Sequence, residues 1–98
     1  NAFTFIIYKL LNETIHYLKE QDIWICGTDA DTKTEYTKQD YKIPIAIVIG
    51  SEGFGMSRLV KENCDFLVKI PMKGKITSLN ASVSAGIIMY EVVKQRNN

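Results

Sequence analysis

Two short apolar runs, each ending in a polar loop that carries glycine, restrict what this chain can fold into. Between Ile43 and Asn80 the run Ile45-Ala46-Ile47-Val48-Ile49 leads into Gly50-Ser51-Glu52-Gly53-Phe54-Gly55. Phe66 to Ile70 then leads into Pro71-Met72-Lys73-Gly74-Lys75-Ile76-Thr77-Ser78-Leu79-Asn80. Continuous β-branched runs without polar alternation read as buried strands, which belong in sheets covered by helices. In open α/β sheets ligands bind outside the carboxyl ends of strands, so the two loops, expected on neighbouring strands, are where chemistry is expected.

The rest of the chain supports an α/β fold, a mainly parallel sheet flanked by helices. Thr4 to Lys9 is β-branched and aromatic and predicts a short buried strand. Asn12 can cap a following helix whose Leu11, Ile15 and Leu18 recur at helical spacing, and Gln21-Asp22 ends it. His16 lies on the flank of that stripe and reads as a surface residue. Ile23 to Cys26 predicts the next strand, closing on Gly27-Thr28. Such a βαβ unit builds a parallel sheet and puts Gly27-Thr28 at the same sheet edge as the two later loops. Asp29 to Lys42 is polar, with Tyr36 and Tyr41 as its only large apolar handles, and reads as a solvated connecting loop with room for one short turn.

Ser57 can cap a second helix, with Leu59, Val60 and Cys64 turned inward and Arg58, Lys61 and Glu62 outward. From Ser78 onward apolar residues occupy two helical faces, Ala81, Ala85, Ile88 and Val92 on one and Val83, Ile87 and Tyr90 on the other. A single layer buries one stripe, so the second implies a deep position or an interface with another subunit. Lys94 and Arg96 suit a helix C-terminus.

Composition bounds the function. A hydrophobic fraction of 46% and a charged fraction of 23% over 98 residues are those of one globular domain, not of a disordered tail. The net charge of +1 gives no global basic field, so an RNA partner would have to be held by local clusters. Cys26 and Cys64 lack metal-ligand spacing and read as buried reduced thiols, and no metal site is expected. No secretory segment opens the chain and no apolar run approaches the roughly 20 residues of a membrane span, which predicts a cytoplasmic protein. Asn1-Ala2-Phe3 runs at once into apolar residues, as though the sequence began within something larger.

The glycines Gly50, Gly53 and Gly55 let a ligand approach the backbone, or serve equally as a plain strand-to-helix turn. Their spacing matches neither G-x-G-x-x-G nor a Walker A loop. Glu52 among them can fix a substrate or an arginine, or remain solvated. Ser78 and Asn80 can cap the final helix, or offer hydrogen bonds to a ligand.

These residues carry a family resemblance. GSEGFG followed by IPMKGKITSLNASVSAG resembles the second and third motifs of the SpoU (TrmH) methyltransferases, and IWICGT and YEVVKQR extend the likeness over nearly the whole chain. It is most similar to the branch acting on guanosine ribose in 23S ribosomal RNA. The resemblance implies an RNA 2′-O-ribose methyltransferase using S-adenosylmethionine, an α/β domain with a C-terminal trefoil knot, and a homodimer. It implies that Thr28, Gly50, Ile70, Met72 and Leu79 hold the cofactor and that Glu52, Ser78 and Asn80 orient the ribose and nearby groups. Arg58, Lys69, Lys73 and Lys75 lie close to these motifs and could meet RNA phosphates, or serve only as solubility charge.

The family's first motif, with an Asn and an Arg, is not in these 98 residues. Residues 1–98 are therefore expected to be the C-terminal portion of a methyltransferase domain, inactive alone. Two readings compete with the enzyme. One is a lapsed RNA-binding or dimerisation module of the same fold. The other is a nucleotide-binding α/β domain of flavodoxin type, which rests on fold alone.

Overall fold

The computed structural model describes residues 5–6, 11–50, 57–72 and 81–97. Four parallel strands, β1 (Phe5–Ile6), β2 (Trp24–Thr28), β3 (Ile45–Val48) and β4 (Phe66–Val68), form one sheet in the order β1-β3-β2-β4. Helices α1 (Leu11–Glu20), α2 (Arg58–Asn63) and α3 (Ala81–Arg96) flank it, and a 3-10 turn spans Tyr36–Lys38.

Alternation along the central strands divides the core into two layers. Ala46 and Val48 of β3 and Ile25 of β2 face one side, where they pack with Ile15 and Leu18 of α1 and Val60 of α2. Ile45 and Ile47 of β3 and Cys26 of β2 face the other side, with Val68, Tyr41, and Ile88 and Val92 of α3. All four residues of β3 are buried, as a strand covered on both faces must be.

The sheet order obeys a single crossover hand. The chain moves from β1 across β3 to β2, and from β3 across β2 to β4, each time over the α1–α2 face. It moves back from β2 to β3 through the loop that buries Tyr41 on the α3 face. Reversing direction across a sheet without reversing hand requires changing face.

Helix α1 ends on a left-handed residue, Asp22, at φ 61°. The Ile23 amide donates to the Leu18 carbonyl at 3.1 Å and the Asp22 amide to that of Lys19 at 3.0 Å. This is a Schellman ending, and Ile23 packs against the cluster that holds Leu18. Helix α2 begins as expected, with Ser57 Oγ accepting from the Val60 amide.

Several expectations are corrected. The loop-bearing strands β3 and β4 are not neighbours, because β2 pairs with both. The strand expected from Ile23 starts at Trp24, and it closes on Gly27-Thr28 as expected. Asn12 sits inside α1, and its Oδ1 accepts from Asn63 Nδ2 of α2 at 3.2 Å. Leu59 is 56% exposed, because a six-residue helix touching the core along one line has room for Val60 alone. The Asp29–Lys42 loop is more than a solvated connection. Its Glu35 bridges Lys69 beyond β4, and Tyr41 is fully buried with its hydroxyl donating to the Tyr36 carbonyl at 2.6 Å. Helix α3 holds that loop from above: Gln95 Oε1 accepts from the Tyr41 amide, and Arg96 donates to the carbonyls of Tyr41 and Ile43. In the isolated chain α3 is covered on one side only, with Val83 and Tyr90 exposed. Of the Thr4–Lys9 strand only Phe5–Ile6 is described. His16 is exposed, as expected.

Candidate functional site

In a sheet of this order one pair of neighbouring strands sends its outgoing chain to opposite faces. From β2 the chain leaves over the α3 face, and from β3 it leaves to α2 on the other. A crevice opens at the carboxyl ends of such a pair, the place where open α/β sheets bind ligands. Thr28 ends β2, and Gly50 stands two residues beyond the end of β3. They meet there, the Gly50 amide donating to Thr28 Oγ1 at 3.4 Å. That contact is long for a hydrogen bond, so the amide is held but not strongly engaged.

The other side of Thr28 faces β4. Thr28 is in register with Val68, and the next amide, of Asp29, donates to the Val68 carbonyl at 2.9 Å. Thr32 Oγ1 adds a contact to the Leu67 carbonyl at 3.4 Å. Beyond β4 the backbone of Lys69 exchanges two bonds of 2.8 Å with Thr34 and Tyr36. The outer edge of the sheet at this end is thus paired by a loop. Ile70 follows, half-buried against the α3-side cluster, and Met72 is half-buried as well.

Of the residues singled out in the sequence, Thr28 ends β2, while Gly50 follows β3 and Ile70 and Met72 follow β4. Arg58 opens α2 and is almost wholly exposed, with its Nε donating to Glu62 at 3.0 Å. Such a surface pair is weak enough to open to another anion. Glu52, Lys73, Lys75, Ser78, Leu79 and Asn80 lie outside the described residues.

Sequence reading missed Asp29 and Lys61, whose side chains pair at 3.2 Å beside Thr28. Lys61 counted as an outward residue, and a separation of 32 positions leaves no local pattern to betray the pair. The second stripe read on α3, Val83, Ile87 and Tyr90, lines an open space of about 470 Å³, and what sequence reading missed there is Tyr36 of the loop, which lines it with Gly86 and Glu91.

Neither thiol is a nucleophile near neutrality. Burial, with the nearby Cys64, pushes Cys26 up to about 12, and burial, with the Asp65 carboxylate, pushes Cys64 up to about 11. Burial likewise raises the Tyr41 phenol. Among the described residues there is no group of three or more His, Cys, Asp or Glu side chains placed to hold a metal ion, and no helix long and apolar enough to cross a membrane.

Comparison with known proteins places this geometry in a family. YacO of Bacillus subtilis (strain 168), assigned to the TrmH family of tRNA/rRNA methyltransferases, is 58% identical over 87 residues, covering 89% of this chain and 35% of its own. A crystal structure of an RNA 2′-O ribose methyltransferase aligns with a TM-score of 0.84 at 31% identity, covering 89% of this chain and 34% of that one. The SpoU methyltransferase AviRb from Streptomyces viridochromogenes, solved in complex with the cofactor AdoMet, aligns with a TM-score of 0.79 at 33% identity, over 87% of this chain and 36% of its own. The chain thus spans about a third of the length of the curated relatives it matches. The SpoU rRNA Methylase model matches residues 1–90, nearly the whole sequence and both of the strand ends that meet at Thr28, and the chain belongs to that family.

Proposed function

We propose that this chain is the C-terminal, cofactor-binding part of a methyltransferase domain that modifies a ribose 2′-hydroxyl of ribosomal or transfer RNA, with a guanosine of 23S ribosomal RNA as the target. The observation that supports it best is the meeting of the Gly50 amide and the Thr28 hydroxyl at the carboxyl ends of β3 and β2, where such a sheet order favours ligand binding. The residues fit S-adenosylmethionine by their chemistry: Gly50 leaves its backbone open to close approach, Thr28 offers a hydroxyl, and Ile70 and Met72 supply apolar surface. Leu79 joins them. When bound, the cofactor supplies an electrophilic methyl group.

The chain's own tasks are to hold that group and to align the ribose. Glu52, Ser78 and Asn80 orient the sugar and nearby side chains, while Arg58, Lys73 and Lys75 meet phosphates and set register. Neither a hydroxyl nor an amide removes a proton from a sugar alcohol at neutral pH and a carboxylate such as that of Glu52 is a weak base for one, so this reading takes the base from outside these 98 residues. A C-terminal trefoil knot belongs to this reading. So does a homodimer closing over Val83, Ile87 and Tyr90, and so does a cytoplasmic location. Titration calorimetry with S-adenosylmethionine, and transfer of a tritiated methyl group to RNA by the full-length protein, test the proposal. Methylation that persists on RNA with a 2′-deoxy sugar at the target would overturn the ribose assignment, and no affinity for the cofactor would overturn the whole reading.

A further inference from the structure

We propose that Asp29 is a positioning residue for cofactor binding and that it acts through Lys61. This rests on the reading of the β3–β2 crevice as the S-adenosylmethionine site. Asp29 follows Thr28 directly, and its backbone and side chain are both committed. Its amide donates to the Val68 carbonyl at 2.9 Å, which ties it to β4. Its Oδ1 accepts from the Asp31 amide at 3.2 Å and from Lys61 Nζ at 3.2 Å. The pair is sheltered, with the Asp29 side chain 14% exposed and that of Lys61 33% exposed.

Lys61 lies one helical turn after Ser57, the residue that caps α2. Gly50 and α2 flank residues 51–56, and they are fastened to consecutive residues of one strand end, Gly50 to Thr28 and α2 to Asp29. Two attachments to one strand end, the long Gly50 contact and the shorter Lys61 pair, constrain the separation between Gly50 and the start of α2. Without the second, the far end of α2 keeps its Val60 contact, the Asn63–Asn12 bond and the Asp65 bonds to Ile25, but its first turn loses its polar tie to the end of β2. Ligand affinity then falls in proportion to the fraction of molecules in the competent arrangement.

The ion pair, not the bulk of either side chain, carries this effect. Asp29→Asn preserves the shape and the acceptor for the Asp31 amide. Lys61→Met preserves the stem without the ammonium. In the full-length protein each variant is expected to weaken S-adenosylmethionine binding about fivefold by calorimetry, with the double variant also about fivefold weaker because both remove one interaction. Lys61→Arg is expected to restore the affinity. The KM for RNA and the kcat at saturating cofactor should stay within about twofold of wild type, a split that general loss of structure would not give.

Wild-type binding with unchanged affinity in both single variants overturns the clamp and leaves the functional reading intact. Losses that multiply in the double variant, or that appear equally in the KM for RNA, also overturn the clamp. A folded wild-type protein without affinity for the cofactor overturns the functional reading itself.

Discussion

Asp65 offers a test of how β2 and β4 are joined. The β2–β4 ladder begins at Cys26 and Phe66, and Ile25, paired with Ala46 of β3, lies one residue before it, where Asp65 bonds both its amide and its carbonyl. Asp65 Oδ2 accepts from the Ile25 amide at 2.8 Å, and the Asp65 amide donates to the Ile25 carbonyl at 2.8 Å. Ile25 is fully buried, so Asp65→Ala leaves an amide with neither partner nor water. Such a group costs about 1–3 kcal/mol, toward the upper end where the lost acceptor was charged. Lys19 lies 3.6 Å from Asp65 Oδ1 but is a third exposed, which limits that pair to a few tenths of a kcal/mol. The expected loss is about 2–3 kcal/mol for Asp65→Ala. It is about 1 kcal/mol for Asp65→Asn, whose side-chain oxygen can still accept. Urea unfolding at pH 7 measures both, and hydrogen exchange at the Ile25 amide locates the change. Refutation would be Asp65→Ala within about 0.5 kcal/mol of wild type, the range of ordinary surface substitutions.

Gly50→Val should abolish S-adenosylmethionine binding with circular dichroism unchanged; calorimetry showing wild-type affinity would put the pocket elsewhere. Ile87→Glu, in the groove of α3, should convert a dimer to monomer in sedimentation, whereas a wild type already monomeric at micromolar concentration removes the interface. Stability should fall at alkaline pH, because Cys26 holds its proton up to about 12 against an ordinary 9.0. Its stabilising share is complete below pH 9 and lost as pH rises toward about 12. The limiting slope is about 1.4 kcal/mol per pH unit. Denaturant titrations of wild type and Cys26→Ala should therefore converge as pH rises, and parallel curves would refute the linkage.

The β3 run, the Ser57 cap and the apolar stripe of Ile88 and Val92 were legible because each depends on residues a few positions apart. Tyr41 was not. A tyrosine in a polar loop reads as surface until Gln95 and Arg96, more than 50 positions away, bind the backbone beside it. Leu59 erred the other way, since periodicity cannot tell how much core a six-residue helix will meet. The places of Thr28 and Gly50 at strand ends were legible from apolar runs followed by small or polar residues. Their meeting depends on strand order, which no local pattern encodes. Asp29 and Lys61 depend on strand order and on helix placement together.

Strand order also changes what kind of ligand the site suits. Neighbouring strands lie about 4.8 Å apart, so if β3 and β4 were adjacent, their two loops could close on a compact group. With β2 between them, the chain ends beyond Gly50 and at Ile70 start about 10 Å apart, on either side of Thr28. A ligand that touches both must lie across the end of β2. It must be long, and it must tolerate a hydroxyl and a strand terminus beneath its middle. A nucleoside joined to an amino-acid tail has that shape, and a simple phosphate does not. The insertion of β2 thus sets Gly50 and Ile70 apart and puts Thr28 and Asp29 between them, with contacts to Gly50, to β4 and to α2.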